Sequence, residues 1–185
     1  SLCDSARAVL VLSPGALNLE GACRVGSVVR FFQRGNAGAT SECVNASFDV
    51  RADALQQALV RDALIRPAHI SNVRRYDLGH LDGASLGFSA AAALADGRVV
   101  FAASAEASPN TYDDGECAGS VLGLFDADQQ VVATWAVDTL PDRVKIEGVG
   151  IESVDADALT VVAVTDPDDA DTPSELLRFR IASRE

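Results

Sequence analysis

Short apolar segments separated by polar turns run through most of the chain. Val, Leu, Ile and Phe fill these segments, and Gly, Asp, Asn, Ser or Pro bounds each of them. Such runs are typical of β-strands. The predicted strands cover residues 9–12, 27–33, 98–103, 121–125, 131–137, 159–164 and 176–181. The pattern therefore predicts an all-β protein.

One segment departs from this strand pattern. In residues 51–65, Leu55, Leu59 and the pair Ala63 and Leu64 recur at helical spacing. Asp53 can cap the start of such a helix, and Pro67 follows its end. We therefore predict one amphipathic helix, over about residues 53–64, inserted between strands.

Three segments of the sequence share one plan of strand, tight turn, strand, loop and third strand. They begin at Leu17, Leu86 and Lys145. Small motifs recur at matched places: residues 20–22 (EGA) match residues 147–149 (EGV), and residues 42–43 match residues 116–117 (both EC). Three unrelated β-meanders would not require such matches. The recurrence favours three blades of a β-propeller.

The number of repeats predicts a partial ring. A closed propeller needs at least four blades, whereas this chain holds about three four-stranded antiparallel blades. Open sheet edges would be an aggregation hazard. We therefore expect one propeller domain over residues 1–185 that is the later part of a longer chain, or a ring completed by a second chain. A strand near Val9 should then belong to a blade whose other strands come from elsewhere.

Several motifs resemble a known family. The chain is similar to the later blades of an uncharacterised bacterial β-propeller family, which is itself similar in fold to esterase-like and phytase-like propellers. The resemblance covers the chain from about Leu17 onward and implies a fold but no established reaction. The motifs that carry it are LNLEGA, FFQRGN, RRYDLGHLDGASLGFSAAAALADGRVVFAASAE, DDGECAGSVLG, KIEGVG and VTDPDDADTPSELLRFRI.

Composition narrows the possible partners. The net charge is −12, from 27 acidic and 15 basic side chains, so the chain lacks the positive charge that nucleic-acid phosphates attract. No apolar run approaches the ~20 residues of a membrane helix. We expect a soluble protein that contacts neither nucleic acid nor membrane, and the sequence leaves its compartment, cytoplasmic or exported, open. No Cys-x-x-Cys spacing occurs. We expect free thiols, with Cys43 and Cys117 the better pair if a disulfide forms.

Propeller geometry predicts a cluster of charged side chains. In a blade, the start of the first strand and the end of the second strand lie on the same face of the disc. Applied to the three repeats, this rule collects mostly acidic residues at one mouth of the channel. The candidate ligand-binding residues are Glu20, Arg34, Asn36, Glu106, Lys145 and Glu147, and the candidate metal ligands are Asp166, Asp168 and Asp169.

Three interpretations of this cluster remain open. The carboxylates can bind calcium or a small polar ligand, since hard cations take oxygen ligands. Glu147 beside Lys145, or Glu20 near Arg34, can act as an acid–base pair. The charges can also be structural ties between blades. Our leading hypothesis is a binding or scaffold propeller with an acidic mouth, and the alternative is a metal-dependent phosphoesterase or esterase of the phytase-like kind.

Overall fold

The computed structural model describes residues 1–13, 15–35, 44–106, 117–137 and 143–182. In this part the chain is mostly β, with antiparallel pairing in three sheets, which confirms the predicted class. Sheet 1 contains β1 (Leu19–Val25), β2 (Val28–Gln33), β3 (Asn45–Arg51) and β4 (Ile70–Tyr76). Sheet 2 contains β5 (His80–Leu81), β6 (Ala84–Ala93), β7 (Val99–Glu106), β8 (Cys117–Phe125) and β9 (Val131–Ala136). Sheet 3 contains β10 (Ile146–Val154), β11 (Ala158–Thr165) and β12 (Leu176–Ala182).

The strand count differs from three equal four-stranded units. Only sheet 1 has four strands, because the two-residue β5 adds a short fifth strand to sheet 2 and the described part of sheet 3 has three. Neighbouring strands in each sheet follow chain order. Each sheet is therefore a simple meander, as the repeat predicts.

The core consists of layers between the sheets. Phe32 of sheet 1 packs with Phe88, Phe101 and Phe125 of sheet 2 in the first layer. Sheets 2 and 3 pack through smaller residues in the second layer, with Val100 against side chains such as Val161. The other face of sheet 1 is covered by helices and forms the third layer. Sheets 1 and 2 are thus covered on both faces, and successive residues of their strands belong to alternate layers.

The first strands of sheets 1 and 3 and the first long strand of sheet 2 (β6) carry the same irregularity. Glu20 in β1, Ser89 in β6 and Glu147 in β10 each lack a cross-strand partner, because the register shifts by one residue there. A β-bulge of this kind re-aims the side chain of its extra residue. β6 also packs against both β1 and β10. The predicted equivalence of Glu20 and Glu147 is therefore present in the backbone.

A second repeated feature joins neighbouring sheets. The Asn45 side chain at the start of β3 donates to the Leu86 carbonyl (2.7 Å) and accepts from the Phe88 N–H (3.3 Å).

Ser120 in β8 occupies the position equivalent to Asn45 and makes the same pair of contacts one sheet further on. Its hydroxyl donates to the Val144 carbonyl (2.8 Å) and accepts from the Ile146 N–H (3.0 Å). One polar residue in β3 and one in β8 thus hold the starts of β6 and β10, respectively, in the next sheet.

The N-terminal segment is helical, so the predicted strand near Val9 is wrong, and so is the expectation of a blade built around it. Helix α1 (Leu2–Leu10) begins at Ser1, whose hydroxyl accepts from the Asp4 N–H in a capping box. Ala6 and Leu10 are buried against sheet 1. The apolar residues of this segment serve the helix because its cap and its packing surface outweigh strand propensity.

The predicted inserted helix is confirmed as α2 (Ala52–Arg61), but two details are wrong. Asp53 lies in the first turn, where it pairs with Arg51, and the N-cap residue Arg51 makes no side-chain cap. Leu55 packs against the apolar cluster on sheet 1, as expected of an amphipathic helix, whereas the Leu59 side chain is 79% exposed. The helical spacing was correct, but only part of the predicted apolar face is covered.

A buried ion pair lies on the face of sheet 1 that packs against sheet 2. Arg30 donates to both Asp49 oxygens (2.7 and 3.0 Å), and Asn72 donates to the same carboxylate. Burial acts to lower the pKa of Arg30, but the bonds and charge of Asp49 outweigh it and the pKa is raised. A face that is covered by another sheet can thus hold paired charges as well as apolar residues.

Replacing Asn45 with Ala should destabilise the fold by about 3 kcal/mol, because it leaves buried Leu86 and Phe88 backbone groups without partners, at about 1–3 kcal/mol each. Asn45→Ser should lose less, since Ser120 makes the same two contacts with a hydroxyl. Urea unfolding monitored by circular dichroism measures both changes. Equal losses in the two variants would contradict the role given to this contact.

Candidate functional site

Three sheets contribute one charged residue each to a buried ion-pair chain. Arg34 directly follows β2, Glu106 ends β7, and Lys145 directly precedes β10. Arg34 Nη2 lies 3.0 Å from Glu106 Oε2, and Lys145 Nζ lies 3.1 Å from Glu106 Oε1. The three side chains are between 8% and 9% exposed. One carboxylate therefore links all three sheets at this end, which we call the mouth.

Local backbone features make room for this arrangement. Gly87 in β6 lies under the Arg34 side chain, and a Cβ at this position would come within 2.7 Å of Arg34 Cγ. Arg34 can reach Glu106 on sheet 2 only because that space is empty. The glycine thus has a steric reason in the tertiary structure.

Lys145 is the most shared group of the mouth. Its ammonium contacts Asp168 (2.9 Å), Glu106 (3.1 Å) and Glu147 (3.4 Å). Burial acts to lower the pKa of Lys145, but the bonds to Asp168 and Glu106 and the nearby carboxylate charges outweigh it, so the pKa is raised. Lys145 is therefore a permanent cation and is unsuited to act as a base.

Glu147 and Glu20 form an outer layer above the ion-pair chain. Glu147 has a raised pKa, chiefly because burial disfavours its charge; Lys145 opposes this effect and the charge of Glu20 adds to it. The Glu147 side chain is 26% exposed, and Glu20 is half-buried. The carboxylates at the two bulge positions thus lie close enough for the charge of Glu20 to affect Glu147.

The three candidate metal ligands have other partners. Asp166 Oδ1 accepts from the Asp168 N–H, and Asp169 accepts from the Asp171 N–H and the Thr172 hydroxyl. Asp168 binds Lys145. The contacts of Asp166 and Asp169 stabilise turns. Among the described residues no group of three or more His, Cys, Asp or Glu is placed to hold a metal ion, so the proposed calcium site and the metal-dependent alternative gain no ligand set from this geometry.

Asn36 and Cys117 are the remaining positions to consider at the mouth. Asn36 lies outside the described residues, as does Cys43. Cys117, which the sequence analysis did not assign to the mouth, lies opposite Glu106 in the β7–β8 ladder. It is a free thiol, as expected, and burial raises its pKa. The signal was available in the sequence, because Cys117 begins the strand that pairs with the end of β7.

A separate surface pocket of about 240 Å³ lies beside the mouth, between sheets 1 and 2. Two of its polar lining side chains have internal partners: Asp77 accepts from the Gly79 N–H, and the Tyr76 hydroxyl contacts Ser47. The pocket is therefore not lined by the charged residues of the mouth.

Comparison with known proteins places the chain in a family. The model of a family of unknown function (DUF6910) matches residues 1–170. A search of the curated proteins found no match. Within the described residues, neither helix has the length and apolar composition needed to cross a membrane.

Glu106→Gln should destabilise the protein by about 3–5 kcal/mol, because it leaves the buried Arg34 and Lys145 cations without their shared carboxylate. The matched control is Glu152→Gln, which removes an exposed pair with Arg178 and should cost less than about 1 kcal/mol. Urea titrations at neutral pH measure both. Similar small losses in the two variants would show that the chain of ion pairs does not hold the sheets together.

Glu147→Gln should leave stability unchanged or raise it at pH 7. The folded protein holds the Glu147 proton more tightly than the unfolded chain does, so wild-type stability falls as pH rises from about 4.5 through the raised pKa. Gln has no such proton. The melting temperature of the variant minus that of the wild type should therefore increase between pH 4 and 7. A clear loss at pH 7 would instead identify Glu147 as a structural tie.

Proposed function

The chain belongs to DUF6910, a family of unknown function, so its role has to be inferred from its own residues, and we propose that it is a binding module whose mouth takes a small cationic ligand. The ligand would contact Glu20 and Glu147, while the chain from Arg34 through Glu106 to Lys145 would hold the three sheets that present them.

The pairing of the two bulge carboxylates carries this proposal. Glu147 has a raised pKa, to which burial and the neighbouring Glu20 both contribute. Its cationic neighbour Lys145 is already shared with Glu106 and Asp168. A charged group that lowers the stability of the fold and lies near solvent is typical of a functional position. A cation between the two carboxylates would relieve their repulsion.

The chemistry of the site favours an organic cation over a bare metal ion. A metal needs several oxygen ligands around it, and the described residues offer no such group. An ammonium or guanidinium group carries its own N–H donors and can bond two carboxylates at once. The ligand class is therefore an amine or guanidine of small size.

We also propose that the three sheets are successive blades of a β-propeller. Support comes from the equivalent bulges at Glu20, Ser89 and Glu147 and from the equivalent contacts of Asn45 and Ser120. In such an arrangement the first strands line a channel, and the bulge residues face its mouth. This geometry accounts for the gathering of charges from three sheets at one end.

Titration calorimetry with 1,4-diaminobutane at neutral pH and low salt tests the proposed ligand class. Wild-type protein should bind the diamine, and Glu147→Gln or Glu20→Gln should weaken binding by about tenfold or more, since each removes a charged hydrogen-bond acceptor. Binding should also weaken as pH falls toward the range in which Glu147 takes up its proton.

Asp128→Asn is the matched control. It removes one exposed negative charge from the turn between β8 and β9, at the end of sheet 2 opposite Glu106. Diamine binding should be unchanged in this variant. Absence of binding to the wild type, or equal weakening in the control, would refute the proposed site.

A further inference from the structure

The outer face of sheet 3 repeats a face that is an interface elsewhere in the molecule. The strand registers match five positions of sheet 2 with five positions of sheet 3. The pairs are Ala90 with Gly148, Ala92 with Gly150, Val100 with Val162, Ala102 with Val164 and Leu122 with Leu176. In sheet 2 this face is covered by sheet 3. In sheet 3 none of the described sheets covers it, and Leu176 is 72% and Val164 44% exposed.

Ser174 adds a directional signal to this face. It precedes β12 and stands opposite Asp166, as Ser120 stands opposite Ser104 in sheet 2. Ser120 and Asn45 each bind a carbonyl and an N–H in the first strand of the next sheet. Ser174 is exposed. By this equivalence, the Ser174 side chain is placed to bind the first strand of another sheet with the same plan.

The opposite end of the stack carries the complementary surface under a helix. The outer face of sheet 1, with Phe48 and Val50, is equivalent to the faces that sheets 2 and 3 turn toward the preceding sheet. Helix α1 covers it through Ala6 and Leu10, and α2 packs against the same apolar cluster through Leu55. The two helices thus take on sheet 1 the place that a whole sheet takes on sheets 2 and 3.

We propose that a second copy of this chain docks on the outer face of sheet 3, presenting its own β1 and sheet 1 in place of α1. The proposal rests on the propeller arrangement proposed above. Two copies joined in this way at both ends close a ring of six sheets, within the about four to eight blades of propellers. Closure matters because a head-to-tail contact that does not close produces filaments.

Charges on the rim of this face are compatible with its burial. Arg178 and Arg180 project from β12 and pair with Glu152 and Asp157. The position of Arg178 is equivalent to that of Asp49 in sheet 1, which is buried in an ion pair under sheet 2. An ion pair at the equivalent position is therefore buried in the contact between sheets 1 and 2.

Sedimentation velocity over a concentration series tests the docking. Wild-type protein should form a dimer, and Leu176→Lys should raise its dissociation constant by about tenfold or more, since it buries a charge in the contact. Val132→Lys is the matched control, because Val132 is 55% exposed on β9 of sheet 2, which belongs to neither of the two docked sheets, and should leave the dimer intact. Both are surface substitutions that keep the core.

A third variant tests the displacement of α1. Arg75 Nη2 donates to the Leu10 carbonyl at the end of α1 (2.8 Å), so Arg75→Ala should loosen the helix and strengthen dimerisation. The double variant with Leu176→Lys should abolish that gain. A monomer in both wild type and Arg75→Ala, with the fold verified by circular dichroism, would overturn the proposal, and so would a dimer that is insensitive to Leu176→Lys.

The Leu176→Lys monomer separates this proposal from the proposed function. Diaminobutane binding measured on that variant depends on Glu20 and Glu147 but not on the second copy. Diamine binding to a wild-type protein that does not dimerise would reject the docking and leave the mouth assignment standing. A dimer without diamine binding would do the reverse.

Discussion

The buried carboxylate of Glu106 is the interaction on which the arrangement of the three sheets depends at their shared end. It holds one cation from sheet 1 and one from sheet 3, and all three side chains are nearly excluded from solvent. Buried charges are tolerated only when they are paired, so any displacement of one sheet leaves a charge uncompensated in the interior. The ion-pair chain therefore fixes the relative positions of the sheets more strictly than apolar packing alone, which tolerates repacking.

Away from the mouth, the stack is held by a repeated polar contact and by alternating apolar faces. Asn45 and Ser120 bind backbone groups near the starts of β6 and β10, just before the bulges at Ser89 and Glu147. A buried N–H or carbonyl without a partner is costly. The polar residue of one sheet therefore fixes the bulged strand of the next sheet close to its bulge. The same bulge aims Glu20 and Glu147 at the mouth.

The mouth has an inner layer that serves the fold and an outer layer that does not. Glu106 forms ion pairs with two buried cations, whereas Glu147 has a raised pKa in spite of Lys145. Stability selects for the first kind of charge and gives no reason for the second. This contrast separates a structural tie from a candidate ligand contact within a single cluster. It also explains why the cluster could not be assigned as a whole from the sequence.

Sequence alone determined the strands of the three sheets other than β4 and β5, the helical segment α2 and the repeat that places Glu20 and Glu147 at equivalent positions. These features depend on local propensity, on apolar spacing and on matched small motifs, all of which are properties of neighbouring residues. The repeat also gathered Arg34, Glu106 and Lys145 at one end, because strand direction fixes which ends meet. Tertiary structure decided the rest. Residues near Val9 form a helix because Leu10 packs against a face of sheet 1. The Asp166 and Asp169 side chains accept hydrogen bonds from N–H groups of their own loop. Glu106 is paired with two cations, whereas the pKa of Glu147 is raised. This difference depends on distances between side chains from different sheets, which no pattern along the chain contains.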